Sequence, residues 1–173
     1  MEKNEQLIVL QKFRDYVIQQ ARTKLSRLNK NSSRSLYDSI KGEVKVMPNS
    51  MQLYFDMLDY GFFQDKGVSG TKVKYDTPFS YKSKMPPPKA FDKWIVKKGI
   101  APRDKGGKFQ SRQSLQFAIA RSVFEKGIKP SLFFTTPFNA AFKTLPDEMI
   151  KAYGLETIET FDTIMKENFK KTK

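Results

Sequence analysis

Between Met51 and Met57 the apolar side chains of Met51, Leu53, Phe55 and Met57 stand at every second position, with Gln52, Tyr54, Asp56 and Leu58 between and after them. That period puts one set on each face of a β-strand. A strand needs a neighbour for its backbone N–H and C=O groups. Residues 42–47 read as a second strand, and Pro48, Asn49 and Ser50 between the two are turn formers, so the spacing predicts an antiparallel hairpin, with room for a third strand. After Met57 the alternation stops. Tyr60, Gly61, Phe62 and Phe63 crowd together, and Asp65 is followed by Gly67 and Gly70, so the strand is expected to open into a flexible loop.

The other strong period is helical. Leu7, Leu10, Phe13, Val17, Ala21, Leu25 and Leu28 recur at intervals of three and four, which lays an apolar stripe along one side of a long N-terminal helix. Arg14, Arg22, Lys24 and Arg27 lie off that stripe and suit the negative end of the helix dipole. Residues 35–40 predict a short helix capped by Ser35. After Pro86 and Pro87, Pro88 opens a helix through Ala90, Phe91, Trp94 and Ile95, with Trp94 expected inward beside Ala90 and Phe91. A further helix is expected from Ser111 or Ser114, with Leu115, Ala118, Ile119, Ser122 and Val123 on one face, ending at Gly127 before Pro130. Residues 130–138, PSLFFTTPF, read as an apolar connector with room for a short turn. Beyond Pro146, Met149, Ile150, Tyr153, Ile158, Phe161, Ile164, Met165 and Phe169 repeat at helical spacing, with a bend expected at Gly154. The expected fold is therefore α+β, a small hairpin-based antiparallel sheet packed on the long N-terminal helix and two or more others. One domain is expected over 1–142, with a basic insertion at 66–108, followed by an amphipathic helical extension over 143–173.

Charge is unevenly placed. The 173 residues carry a formal charge of +14, and residues 66–108 hold twelve Lys or Arg against three Asp, a net of +9. Residues 143–173 balance six basic against six acidic side chains. So local an excess points to an acidic partner: nucleic acid, an anionic surface or an acidic protein ring. Cysteine and histidine are both absent, which removes disulfides, thiolate and most zinc sites, Cys-His dyads and Ser-His-Asp triads. No cofactor or metal is expected. The start, MEKNEQ, lacks a basic stretch before an apolar core, and no run reaches membrane-spanning length, so a soluble protein made in a cytoplasm is expected.

Three segments in order carry a resemblance: YGFFQDKGVSGT, then PPPKAFDKWIVKKGI, then SLQFAIARSVFEKGIKPSLFF. Together they resemble the tail-completion or neck proteins of tailed bacteriophages, the head–tail joining proteins that stack as rings below the portal. Tyr60, Asp65, Gly70 and Thr71 match that family's aromatic strand, acidic residue and Gly-Thr turn, with Gly67 inside an apparent insertion, and 119–134 matches its later helix and Gly-Ile-Lys-Pro exit. The resemblance spans roughly 7–138; the long basic insertion and the helix after Pro146 depart from a minimal member. It implies a non-catalytic α+β subunit in a closed ring of roughly twelve, alternatively six, copies. The implied partners are a portal or adaptor ring and tail proteins, with non-specific contact to DNA in the lumen and none with membrane. The implied location is the neck or tail region of a virion assembled in a bacterial cytoplasm.

The candidate interface comprises Tyr60, Phe62, Phe63, Asp65, Gly70, Thr71, Lys72, Lys74, Tyr75, Phe79, Tyr81, Lys82, Lys84 and Arg121. In 68–85 aromatic residues alternate with lysines, which reads as a partner-facing arm anchored by Tyr75, Phe79 and Tyr81, or as a solvated loop. As an arm, its deletion would leave a folded subunit. Arg121 stands one turn from Glu125, close enough for an intrahelical ion pair. The competing class is a basic nucleic-acid-binding module; few side chains of the 111–127 helix, Arg112, Gln113, Gln116 and Arg121, could read bases. Glu43 and Lys45 form an E-x-K of the kind metal-dependent nucleases use. Asp38 is too near, and Asp56 and Asp59 would have to come from the paired strand, so the pair is read as the routine alternation of charges on a solvated hairpin face and no nuclease is expected.

Overall fold

The computed structural model describes residues 5–30, 33–48, 50–101, 103, 106–109 and 111–154. Helix α1 (Glu5–Arg27) is followed by α2 (Ser35–Ser39), strands β1 (Lys41–Met47) and β2 (Ser50–Asp56), then α3 (Tyr60–Lys66) and β3 (Val68–Ser69). A 3₁₀ turn (Pro88–Phe91) leads into α4 (Asp92–Lys97), and α5 (Arg112–Lys126), β4 (Gly127–Ile128) and α6 (Thr135–Phe142) complete the order. Helical backbone resumes at 145 and runs to 154. The fold is α+β. Packing divides it into two compact units, Met1–Leu58 with Phe133–Lys173, and Asp59–Leu132. The second takes in all of the basic stretch.

In the first unit the stripe of α1 becomes the core face, with Leu10, Phe13, Val17, Ala21 and Leu25 buried. β1 and β2 pair antiparallel with Val44 opposite Leu53 and Gly42 opposite Phe55, so the apolar face of β2 turns towards α1. Phe55 meets Phe13 and Phe138 edge-on, with ring centroids 6.3 and 6.0 Å apart, the offset geometry that aromatic quadrupoles favour. Phe133, completely buried, closes a cluster with Ala21, Leu25, Leu36, Ile40 and Met57. Arg22 does more than suit a helix dipole: its guanidinium donates to the carbonyl oxygens of Tyr37 at 3.1 Å and Ile40 at 3.0 Å, capping the end of α2.

Several expectations are corrected here. Ser35 does not cap α2; Arg34 holds the N-cap position in the left-handed region, at φ 57°, and makes no side-chain capping bond to the N-terminus of the helix. The hairpin sheet has two strands among the described residues, because β3 pairs with β4 in a separate sheet. The supposed connector at 130–138 contains the start of α6, with Pro137 in its first turn, where a missing N–H costs no helix bond. Gly154, where a bend was expected, is the last described residue and is helical; the helix expected beyond it lies outside the described residues.

Within the second unit Ser111 caps α5, accepting from the Ser114 amide at 3.2 Å, and Gly127 ends the helix as expected. The buried residues of α5 are Gln116 and Ala120 rather than the expected apolar set. Gln116 is tolerated there because its amide donates to the Asp92 carboxylate at 2.6 Å. In α4 the inward residue is Ile95, 2% exposed, whereas Trp94 is 41% exposed. Trp94 is the chain's one tryptophan, so its emission is expected at the long wavelengths of hydrated indole and open to acrylamide quenching in the folded protein. A blue-shifted, protected emission would restore it to the core.

Candidate functional site

The stretch expected as a flexible exit is helix α3, with Tyr60, Phe62 and Phe63 exposed and Asp65 only 4% exposed. Tyr60, Phe63 and Gln64 stand at i, i+3 and i+4, so they share a face. Behind the helix Gly67 turns the chain at φ 77°, and β3 pairs with β4, Val68 opposite Ile128 and Ser69 opposite Gly127.

The basic-aromatic stretch at 68–85 is not an arm. It folds back as a compact loop. The Ser69 hydroxyl donates to the Tyr75 carbonyl at 3.1 Å and accepts from the Tyr75 amide at 2.9 Å, closing the loop's base. The Ser69 amide donates to Phe79 O and its carbonyl accepts from the Tyr81 amide, while the Thr77 hydroxyl donates to Gly67 O. The Thr71, Lys72 and Val73 amides donate to the carbonyls of Phe124 and Glu125 at 3.0, 2.9 and 3.2 Å. Those carbonyls belong to the last turn of α5, where no helical amide remains to serve them. The loop is the C-terminal cap of α5.

This places the candidate residues in five groups, three of them in or behind the clasp. Asp65 and Gly70 are enclosed: the Asp65 carbonyl accepts from the Ser131 and Leu132 amides, and Gly70 lies against Glu125 too closely to admit a Cβ. Thr71 and Tyr75 are half-buried in the clasp, and Lys74 Nζ donates to Gly70 O at 3.1 Å. Lys72 and Arg121 converge on Glu125, at 2.9 and 3.0 Å from its two carboxylate oxygens. The first of these, spanning from loop to helix, could not be read from helical spacing.

Tyr60, Phe63, Phe79, Tyr81 and Lys82 come together, with Gln64, around a groove of about 580 Å³. Phe63 and Phe79 meet edge-on at 4.7 Å, and Tyr81 lies on Phe124 at 6.1 Å. Burial pushes the Tyr81 hydroxyl pKa up. Phe62 and Lys84 are exposed outside the groove lining. Gln64, Val68, Pro78, Ser80 and Ile128 complete the lining and were missed; the i, i+3, i+4 spacing of Tyr60, Phe63 and Gln64 was the available signal.

The bond from Lys72, then that from Arg121, holds the Glu125 carboxyl below the usual carboxylate range. A carboxyl depressed on folding lends stability at pH values above its unfolded pKa, and that contribution is lost as pH falls through the folded value. Unfolding midpoints measured along an acid series should therefore fall less steeply for Glu125→Gln than for the wild-type chain, with the difference confined to acid below the ordinary carboxylate range. Parallel curves would show that the triad adds nothing.

Glu43 and Lys45 occupy exposed positions on β1 opposite Tyr54 and Gln52, not opposite an aspartate. The Tyr54 hydroxyl donates to Glu43, and that bond raises its pKa. Among the described residues no group of three His, Cys, Asp or Glu could hold a metal ion, and no helix is long and apolar enough to cross a membrane. Comparison with protein-family models, curated proteins and solved structures finds no match to this chain.

Proposed function

We propose that this chain is a non-catalytic structural subunit of a tailed-phage neck, working by association between the portal and the tail. The observation that carries the reading is the surface of α3 and the loop beside it. Tyr60, Phe62 and Phe63 stand exposed on a short helix fixed from behind by the clasp, and Lys82 shares a groove with Tyr60 and Phe63. Clustered aromatic side chains left in water beside a lysine with no ion pair among the described residues are the chemistry of a protein contact, with apolar burial supplying affinity and the cation selecting an acidic neighbour. The order of the three sequence segments supplies the particular assembly: a ring of roughly twelve, or six, copies whose closure covers such faces. In this reading the virion is its site of action, and DNA in the lumen meets the basic surface without sequence preference.

Deleting the gene from the phage that encodes it tests the proposal. The expected result is DNA-filled heads and separate tails that fail to join, with the protein present by mass spectrometry in complete wild-type particles. Infectious particles made without it would remove the neck role. A monomer that binds duplex DNA tightly, with affinity falling steeply across a salt series, would instead favour a basic nucleic-acid-binding module.

A further inference from the structure

The loop that caps α5 also leaves a strand edge open. Ser69 receives residues 79–81 through its own amide and carbonyl, at 2.8 and 2.9 Å, forming a parallel bridge with Ser80. Backbone groups alternate sides along a strand, so the N–H and C=O of Ser80 point away from β3. Neither has a hydrogen-bond partner among the described residues, and Ser80 is exposed. Unpaired edge groups of this kind accept another strand.

Ser80 lines the same groove as Tyr60, Phe63, Phe79 and Tyr81, so the open edge runs beside an aromatic cleft. Two further observations state what would fill it. Gln64, a residue of the lining, has its Nε2 shielded from solvent with no acceptor among the described residues, a cost that a turn of the side chain towards an incoming carbonyl or carboxylate would relieve. Lys82 is the charged residue of the lining and Lys66 ends α3; neither they nor Lys84 form an ion pair among the described residues. Among the described residues no carboxylate lines the groove.

We propose that this groove binds an extended acidic peptide segment of a partner protein, added as a strand along residues 78–82 with an apolar or aromatic side chain seated between Phe63 and Tyr81. Main-chain pairing at Ser80 would supply direction, the aromatic cleft the anchor, and the lysines the preference for flanking carboxylates. A nucleic acid strand could use the lysines and rings but has no groups spaced to pair with a strand edge. The inference rests on the groove and does not require the neck assignment. Peptide binding in a protein dispensable for virions, or the reverse, separates the two.

The probe is a fluorescein-labelled peptide, Asp-Glu-Val-Phe-Val-Glu-Asp, titrated with the full chain and followed by anisotropy. Saturable binding is expected with Kd below about 100 μM. Replacing the four acidic residues of the peptide by lysine should weaken it at least about tenfold, as should Lys82→Glu in the protein. Ser80→Pro removes the outward N–H and should also weaken it about tenfold. A peptide N-methylated at alternate residues makes the same test with the protein unaltered. Lys45→Glu, on the hairpin of the other unit, should leave binding unchanged. Three results would overturn the proposal: no saturation by about 1 mM, equal binding of the N-methylated peptide, or displacement of the peptide by an oligothymidine at equal concentration.

Discussion

A chain lacking 68–85 is expected to lose its 59–132 unit as a folded body. The segment contributes Val68 and Ser69, both buried, to the pairing with β4. It supplies the three amides that satisfy the Phe124 and Glu125 carbonyls, and it places Phe79 on Phe63 and Tyr81 on Phe124. At about 1 kcal/mol for each capping bond and about 2 kcal/mol for the Val68 side chain, the loss is about 5 kcal/mol before the aromatic contacts are counted. That is comparable to the whole stability of a marginal domain, about 5–15 kcal/mol. Hydrogen exchange resolved by residue is the suitable measurement. Amides of α5 should lose protection in the deletion variant, while those of α1, which belong to the other unit, should keep theirs. Full protection throughout α5 would restore the dispensable arm that the alternation of lysine and aromatic residues suggested.

The contrast between that alternation and the clasp shows where local pattern stops being informative. The hairpin was legible because one buried face imposes period two, and α1 because one buried stripe imposes period 3.6. The ends of α5 were legible because Ser111 and Gly127 act within a turn of their own positions. The clasp depends on residues 67–81 meeting residues 124–128, some fifty positions later, and no periodicity within 68–85 reports that meeting. Aromatic residues among lysines look the same whether they wait for a partner or already pack on Phe63 and Phe124.

Helices α3 and α6 were hidden for a different reason. α3 has seven residues, including Gly61 and two phenylalanines, and α6 opens on Thr135, Thr136 and Pro137. Such segments have poor intrinsic helix propensity and are too short to form alone, so packing decides their state. In α6 that packing is Phe138 against Phe13 at 5.6 Å. In α4, six residues long, the same shortness misplaced Trp94, because a shift of one position exchanges the buried Ile95 for its exposed neighbour. Of the candidate interface, Tyr60, Phe63, Phe79, Tyr81 and Lys82 form the groove together with five residues the local pattern did not select, Gln64, Val68, Pro78, Ser80 and Ile128; Asp65 and Gly70 belong to the interior that supports it.

Gly127→Ala is expected to destabilise the chain by about 3 kcal/mol, and the cause can be separated into two parts. Gly127 sits at φ 76° and ψ −164°, a region that residues with a Cβ rarely enter, and a Cβ there would collide with the carbonyl oxygen of Val68. Gly70 is held as closely from the other side, against the carbonyl of Glu125. The two glycines let the loop and the end of α5 cross at backbone contact, which is what brings the capping amides within bonding distance. Gly99 provides the control, since it also has positive φ, at 62°, but nothing lies within 4 Å of its would-be Cβ. Gly99→Ala should therefore show the conformational cost alone, about 1 kcal/mol. Urea unfolding of the two variants beside the wild-type chain makes the comparison. If Gly127→Ala cost no more than Gly99→Ala, the backbone contact would not be holding the clasp closed, and the deletion of 68–85 would lose its expected effect on α5 as well.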